Sequence, residues 1–290
     1  DAPLRIFRMV RFHATHGFVP TTEPIDAAIS MAGRVGIISA ERIQAEIVKM
    51  LDGKNVATGL TLLVTVGLAD LVLPEFTALA GMGTGGGRHK DVFAHTIRVV
   101  ERMPVGGMNR VAALLHDIGK PDTRRFEGGT VTFQNHEVVG AKMAREIMRR
   151  LKFSSDEIKE ASDLVRLHMR THDSDDFGDS AIRRLVRDAG DRLEALIALS
   201  RADVTTKHPE REQAIMDRLD RLEDRIEALR EQEELDAIRP ALDGDEVMAL
   251  LEIGPGPEVG EALALLLEHR LEVGPHSKEE AKLLLLRHMT

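Results

Sequence analysis

Between Asp91 and Thr206 the sequence sets ionisable side chains at positions where helical periodicity calls for apolar ones. His95 shares a stripe with Val92 and Val99, His136 with Val139 and Met143, and His168 with Leu164 and Val165. Asp203 follows Leu196 and Leu199 on one face, and the adjacent pair His116-Asp117 ends the apolar run of VAALLHDIGK. A lone histidine on an apolar face is usually a satisfied core residue. Several of them buried together with two aspartates, all unpaired, would be very costly in a low-dielectric interior. A divalent cation satisfies such a group at once, because imidazole and carboxylate are ligands of zinc, iron, nickel, manganese and cobalt. On spacing alone, a metal site and a hydrogen-bonded polar core account for the pattern equally well.

The elements that must position these residues are helices. The 3.6-residue period recurs along the chain while sustained strand alternation is almost absent, which predicts an all-α, multi-helical protein. Helices are expected over 3–15, with Pro3 in the first turn, and over 39–51, where Ser39 can cap and Arg42 and Glu46 form an i, i+4 pair. A further apolar helix is expected over 56–70, ending near Pro74. Then come 91–103, 108–119, 135–152, 155–170, 179–188, 191–206 and a long charged helix over 209–238. Thr130–Phe133 can form one short strand or hairpin arm beside Gly128-Gly129. The expected division is a helical neck over 1–58, a connector and glycine-rich linker over 59–88, a metal-binding domain over 89–206, and a long helix with a Gly/Pro-punctuated tail over 207–290. GMGTGGG fits G-x-G-x-x-G at Gly81, Gly83 and Gly86, but that motif needs a strand before it and a βαβ unit around it, so a linker is the better reading. In the long helix, Ile215, Leu219, Leu222, Ile226 and Leu229 form a seam of barely two heptads, better suited to packing on the chain's own body than to a dimer.

Composition closes off other classes. The 290 residues are 43% hydrophobic and 30% charged, as in a globular protein. No stretch reaches the roughly 20 apolar residues of a membrane span, and DAPLRIFRMVRF has no uninterrupted apolar run to serve as a signal peptide. With no cysteine, disulfides, thiolate metal sites and cysteine nucleophiles are excluded and the cytoplasm is the expected compartment. The net charge of −9 argues against wholesale coating of nucleic acid while leaving room for a local basic groove. HEVVG lacks the second histidine of a zinc-protease HExxH, and there is no G-x-S-x-G. Tryptophan and tyrosine are absent although nine phenylalanines remain, a biased alphabet, and the start within a helical pattern without methionine reads as that of a fragment.

The order His95, His116-Asp117, Asp203 resembles the H…HD…D pattern of the HD-domain metal-dependent phosphohydrolases. The resemblance implies that these four residues bind a divalent metal, and that His136 and His168 stand near the extra histidines of members holding two ions. His172 is the register alternative to His168. Manganese, nickel, cobalt, iron, zinc or magnesium, one or two ions, would lower the pKa of a bound water and polarise a phosphoryl oxygen, with Asp117 both ligating and steering that water. Lys120 resembles the lysine that some HD phosphodiesterases direct at the substrate phosphate; an exposed lysine at a helix C-terminus is the equally good plain reading. Arg124, Arg125 and Arg170 are weaker candidates for phosphate clamps.

The flanks resemble a second family. DAPLRIFRMVRFHATHGF looks like the neck helix of bacterial tRNA nucleotidyltransferases, the CCA-adding and poly(A) polymerase family. ISAERIQAEIVKML, with Ser39, Glu41, Arg42, Ile43 and Glu46, resembles the next neck segment. HKDVFAHTIRVVE, NHEVVGAKM, RADVTTK and LDGDEVMALLEIGPGPEVGEAL are similar to HD-bearing, actinobacterial-type members. That likeness implies tRNA or an RNA 3′ end as partner, with Arg5, Arg8, Arg11 and Arg42 as nucleotide- or tRNA-binding residues. The family's neck usually begins Glu-Asp-x-x-Arg after a catalytic head; here Asp1, Ala2 and Arg5 align, so the base-reading aspartate is replaced. No D-x-D pair lies beside a glycine-rich turn, since Asp173-Ser174-Asp175 and Asp243-Gly244-Asp245 fall in expected loops. The 290 residues alone are therefore expected not to add CCA. A 2′,3′-cyclic phosphodiesterase or phosphatase acting on nucleotide esters is the leading expectation; a tRNA-binding body without catalysis and an inactive engineered scaffold are the alternatives.

Overall fold

Leu4, Phe7, Val10 and Ala14 recur every three or four residues, and this stripe is buried along helix α1 (Ala2–His16). The structure, a computed structural model, describes residues 2–83, 91–127, 130–206, 208–235 and 238–289. Helix α2 (Thr22–Met31) follows, and α3 (Ala40–Leu51) and α4 (Val56–Thr65) pack against α1. The approach is close because two glycines leave room: a Cβ at Gly59 would lie 2.6 Å from the Ala14 Cβ, and one at Gly53 would lie 2.5 Å from the Ala14 carbonyl oxygen. One local expectation is not met here. Ser39 stands at the N-cap of α3 without making a side-chain capping bond. Glu46, buried, faces α1, with Arg11 Nε at 2.9 Å and Arg8 Nε at 3.6 Å.

The apolar run expected as one helix over 56–70 is broken. Gly67 takes a left-handed φ of +72°, ending α4 and redirecting the chain into α5 (Leu68–Val72). The short α6 (Pro74–Thr77) begins on Pro74 and leads into a 3-10 turn over Ala78–Gly83, so no strand precedes the glycine run. The rest of that run, residues 84–87, lies outside the described residues.

Asp91 then caps α7 (Val92–Arg102), its carboxylate accepting from the Phe93 and Ala94 amides. Helix α8 (Asn109–Leu115) stops four residues short of the expected end, and His116–Gly119 form turns before the short α9 (Lys120–Thr123). A two-stranded antiparallel ribbon follows, β1 (Arg125–Glu127) with β2 (Thr130–Thr132), in the register Arg125↔Thr132, Phe126↔Val131, Glu127↔Thr130. Helices α10 (His136–Arg150) and α11 (Ser155–Leu167) pack against each other, α11 opening on a capping box between Ser154 and Glu157. The remaining helices are α12 (Asp179–Ala189), α13 (Leu193–Asp203), α14 (Pro209–Gln232), α15 (Gly244–Leu251), α16 (Pro257–Val273) and α17 (Lys278–His288). The protein is all-α apart from the small ribbon, and among the described residues no helix is long and apolar enough to cross a membrane.

The chain forms two units: Asp1–His172 with Glu194–Ile215, and Asp173–Leu193 with Met216–Thr290. In the second, Val247, Val259, Ala262, Leu266, Ala281 and Leu285 form a core. The α14 seam residues Leu219, Leu222, Ile226 and Leu229 are likewise buried, and Ile215 is half-buried. The two acidic pairs noted in the sequence are spent locally, Asp175 on Arg221 and Asp243 as the N-cap of α15.

This unit also buries an Arg183–Glu233–Arg270 triad. Arg183 donates to Glu233 Oε1 from Nε at 3.0 Å and Nη2 at 2.9 Å, and its Nη1 reaches the Leu271 and Glu272 carbonyls near the end of α16. Burial pushes the Glu233 pKa up, but hydrogen bonds and attraction from Arg183 and Arg270 outweigh it and hold it below the ordinary glutamate value. The triad therefore stabilises the fold at neutral pH, and that stabilisation is lost as pH falls through the lowered pKa. Glu233→Gln should cost about 3–5 kcal/mol by leaving two guanidinium groups without their anion. Denaturant unfolding followed by circular dichroism should also show a weaker acid-side loss of stability in the variant than in the wild type.

Candidate metal centre

The turn after α8 is shaped by Gly119. A Cβ there would meet the His136 carbonyl oxygen at 2.3 Å and the Gly140 amide nitrogen at 2.6 Å. Backbone thus presses directly on the first turn of α10 and brings His116 and Asp117 beside His136. Asn135, in a left-handed conformation with φ of 60°, turns the chain from the ribbon into that helix.

His95 comes from α7, His116 and Asp117 from the turn, and Asp203 from the last residue of α13. His95 Nε2 lies 2.9 Å from Asp203 Oδ1, 3.5 Å from Asp117 Oδ2 and 3.3 Å from His116 Nε2. His116 Nε2 is 3.3 Å from Asp117 Oδ2 and 3.7 Å from Asp203 Oδ1. The other oxygen of the same carboxylate, Asp117 Oδ1, lies 3.5 Å from His136 Nε2, which is 3.2 Å from His168 Nε2. Two donor sets result, His95–His116–Asp117 and Asp117–His136–His168, all buried and sharing one aspartate. Asp203 adds a carboxylate to the first. Lys120 Nζ sits 2.6 Å from Asp117 Oδ2. His172, the register alternative, stays at the rim: its side chain is 42% exposed and its Nε2 is 3.6 Å from Asp203 Oδ2.

The ring orientations are fixed from behind. His116, His136 and His168 each donate Nδ1–H to the carbonyl three residues earlier, that of Ala113 at 2.7 Å, Phe133 at 2.8 Å and Val165 at 2.7 Å. A carbonyl only accepts, so Nδ1 carries a proton and each Nε2 is turned inward, where it can ligate once unprotonated. His95 differs, its Nδ1 lying 2.6 Å from the buried Thr205 hydroxyl. Thr205 and Gly119 are the residues that sequence reasoning missed. Neither has a recognisable type for the task, and Thr205 lies 110 positions from the ring it holds.

Charge is balanced tightly. Burial disfavours the His116 imidazolium, but Asp117 and then Asp203 outweigh that and push its pKa up to about 10. Burial and the charge on His116 push His168 down to about 3. Burial also lowers His95 and His136. The two carboxyls lie well below the usual aspartate range despite burial, Asp117 through His116 and Lys120, and Asp203 through bonds from His116, His172 and His95. Imidazoles and ionised carboxylates with no thiolate are the donor chemistry of a borderline or hard divalent ion, so the residues fit one or two such ions, with His116 giving up its proton on ligation.

The other expected site residues lie elsewhere. Arg5 and Arg8 on α1 line a cavity of about 430 Å³ with Phe12, Phe18 and Pro24. Arg11 faces Glu46, its guanidinium 4.3 Å from the Phe12 ring centre, and Arg42 is exposed on α3. The basic stripe is therefore divided between a groove and a buried carboxylate. Arg124 precedes β1, Arg125 is on it, and Arg170 is in the 3-10 turn between His168 and His172.

A CC-adding tRNA nucleotidyltransferase of Thermus thermophilus is 38% identical to this chain, the match covering 98% of the chain and 66% of that protein. An A-adding tRNA nucleotidyltransferase of Deinococcus radiodurans is 37% identical over 96% of the chain and 67% of its own length. The chain belongs to the tRNA nucleotidyltransferase family. It spans about two thirds of the length of these relatives. Within this family assignment, residues 92–225 match the HD domain and residues 17–79 match the probable RNA- and SrmB-binding site of polymerase A. The fold is shared with a crystal structure of the Bacillus stearothermophilus CCA-adding enzyme in complex with CTP, at a TM-score of 0.65 and 18% identity, covering 99% of this chain and 62% of that one.

Two outcomes are expected. Reconstituted with manganese or nickel, the protein should take up about two ions per chain; Asp117→Ala should lose both and His136→Ala about one, as read by elemental analysis. Gly119→Ala should cost roughly 1–3 kcal/mol in thermal unfolding and reduce metal uptake, because the clash is with backbone.

Proposed function

We propose that the HD region of this chain hydrolyses phosphoesters of nucleotides or RNA ends, with 2′,3′-cyclic phosphates as the first candidate substrate. The observation that carries the reading is the arrangement of Asp117, whose two oxygens each face a separate set of imidazole Nε2 atoms. His95, His116, Asp117 and Asp203 would hold one ion, and Asp117, His136 and His168 a second. When bound, such ions supply an acidified water and polarise the phosphoryl oxygens.

The chain's own residues do the rest. Asp117 accepts from the attacking water and orients it toward phosphorus. Lys120, already 2.6 Å from Asp117, has a mobile ammonium that can move to a non-bridging phosphate oxygen when a phosphoester enters. Water adds to phosphorus, one ring ester bond breaks, and the departing ribose oxygen takes a proton, leaving a 2′- or 3′-monoester. The four rings keep their orientation throughout, because their anchors lie behind them.

Transfer RNA is the proposed partner. The match of residues 17–79 to an RNA-binding family and the groove with Arg5, Arg8, Phe12 and Phe18 support that reading. They are equally consistent with a body that docks tRNA and has no catalysis of its own.

The metal-loaded protein should hydrolyse 2′,3′-cyclic AMP and chromogenic phosphodiesters. Asp117→Ala should lower kcat roughly 100-fold, chelator should abolish turnover, and Lys120→Ala should lower kcat about tenfold or more. Turnover that survives both chelation and Asp117→Ala would overturn the hydrolase reading and leave the docking body.

A further inference from the structure

The β1–β2 ribbon lies in the chain between Lys120 and His136, and neither the metal-facing residues nor the neck explains its composition. Phe126 is 72% exposed. The Arg124 guanidinium sits 4.8 Å from the centre of its ring, and Arg124 Nε is buried without a hydrogen-bond partner among the described residues. A guanidinium on an aromatic ring covers only one of its two faces.

The register fixes where that ring lies. Phe126 pairs with Val131, and directly opposed residues of an antiparallel pair project from the same face. Val131 lies two residues before Phe133, which directly follows the end of β2. Phe133 is anchored at the metal centre twice: Lys120 Nζ stands 5.7 Å from its ring centre, and its carbonyl accepts the His136 Nδ1–H at 2.8 Å. Through its partner Val131, Phe126 is thus two residues of chain from the phenylalanine beside Lys120. An exposed aromatic ring with an open side, backed by a cation and set on the ribbon that joins the lysine to His136, is an arrangement that holds a nucleobase by stacking.

We propose that Phe126, backed by Arg124, is a base-stacking subsite of the HD centre, so that the site selects phosphoesters carrying a nucleobase over simple phosphates. This rests on the hydrolase reading for its purpose, but the subsite binds product-like ligands whether or not turnover occurs. Because the base is held by its π-face, the subsite discriminates nucleotide from non-nucleotide esters much more strongly than one base from another.

Binding separates the two ideas. The chain has no tryptophan, so Phe126→Trp provides a single fluorophore at the subsite. Adenosine 3′-monophosphate should quench its emission, and ribose 5-phosphate should not. By calorimetry on the metal-loaded wild type, adenosine 3′-monophosphate should bind more tightly than inorganic phosphate. Phe126→Ala should weaken the nucleotide about tenfold more than it weakens phosphate, while Phe126→Trp retains the nucleotide affinity. The subsite is overturned if Phe126→Ala binds the nucleotide within twofold of the wild type, if both ligands lose equally, or if the wild type does not prefer the nucleotide. Stacking in a protein that hydrolyses no ester would sustain the subsite and refute the hydrolase; turnover without base-dependent binding would do the reverse.

Discussion

A carboxylate that is 1% exposed stays ionised only if cations surround it, and Asp117 is that carboxylate. The local fold follows from meeting this demand. Ending α8 at Leu115 puts Asp117 on a turn instead of a helical face, so that both oxygens are available in different directions. Gly119 lets α10 close on that turn, and Asp203 at the end of α13 brings a second anion to the side already holding His95 and His116. The same two carboxylates that make the interior expensive are what suit it to divalent ions.

The chain meets part of the demand with its own groups. The proton retained by His116 and the ammonium of Lys120 both lie against Asp117, where they offset its charge. His168, by contrast, is kept neutral by burial and by its charged neighbour, leaving its lone pair free. The two donor sets are chemically unequal although they share a ligand: the first has a second carboxylate, and the second has imidazoles beyond Asp117. That inequality is a physical basis for two ions of different affinity.

The six clustered residues were legible because a charged or polar side chain on an apolar stripe is visible in one dimension, and the structure brings them together. What holds them was not legible. The Nδ1 acceptors are backbone carbonyls, which have no side-chain signature, and Thr205 meets His95 only after the chain has folded over 110 positions. The fold shows the same division. Helix existence followed from periodicity, whereas the break at Gly67 depends on a left-handed φ that interrupts no apolar pattern. For Glu46 only local partners can be read from spacing, and the approach of Arg11 and Arg8 from α1 is seen only in the folded chain.

Three of the four imidazoles lean on the carbonyl of the residue three places before them, and only His95 leans on a side chain. Point mutation cannot replace a carbonyl, so the anchoring of His116, His136 and His168 is inherited with the backbone itself. Position 205 is the exception. There a single nucleotide change can replace the hydroxyl with the amide of asparagine or remove it as alanine, altering what the His95 ring leans on without touching a backbone anchor. Drift in ion preference between lineages with this architecture has its shortest route through that one threonine.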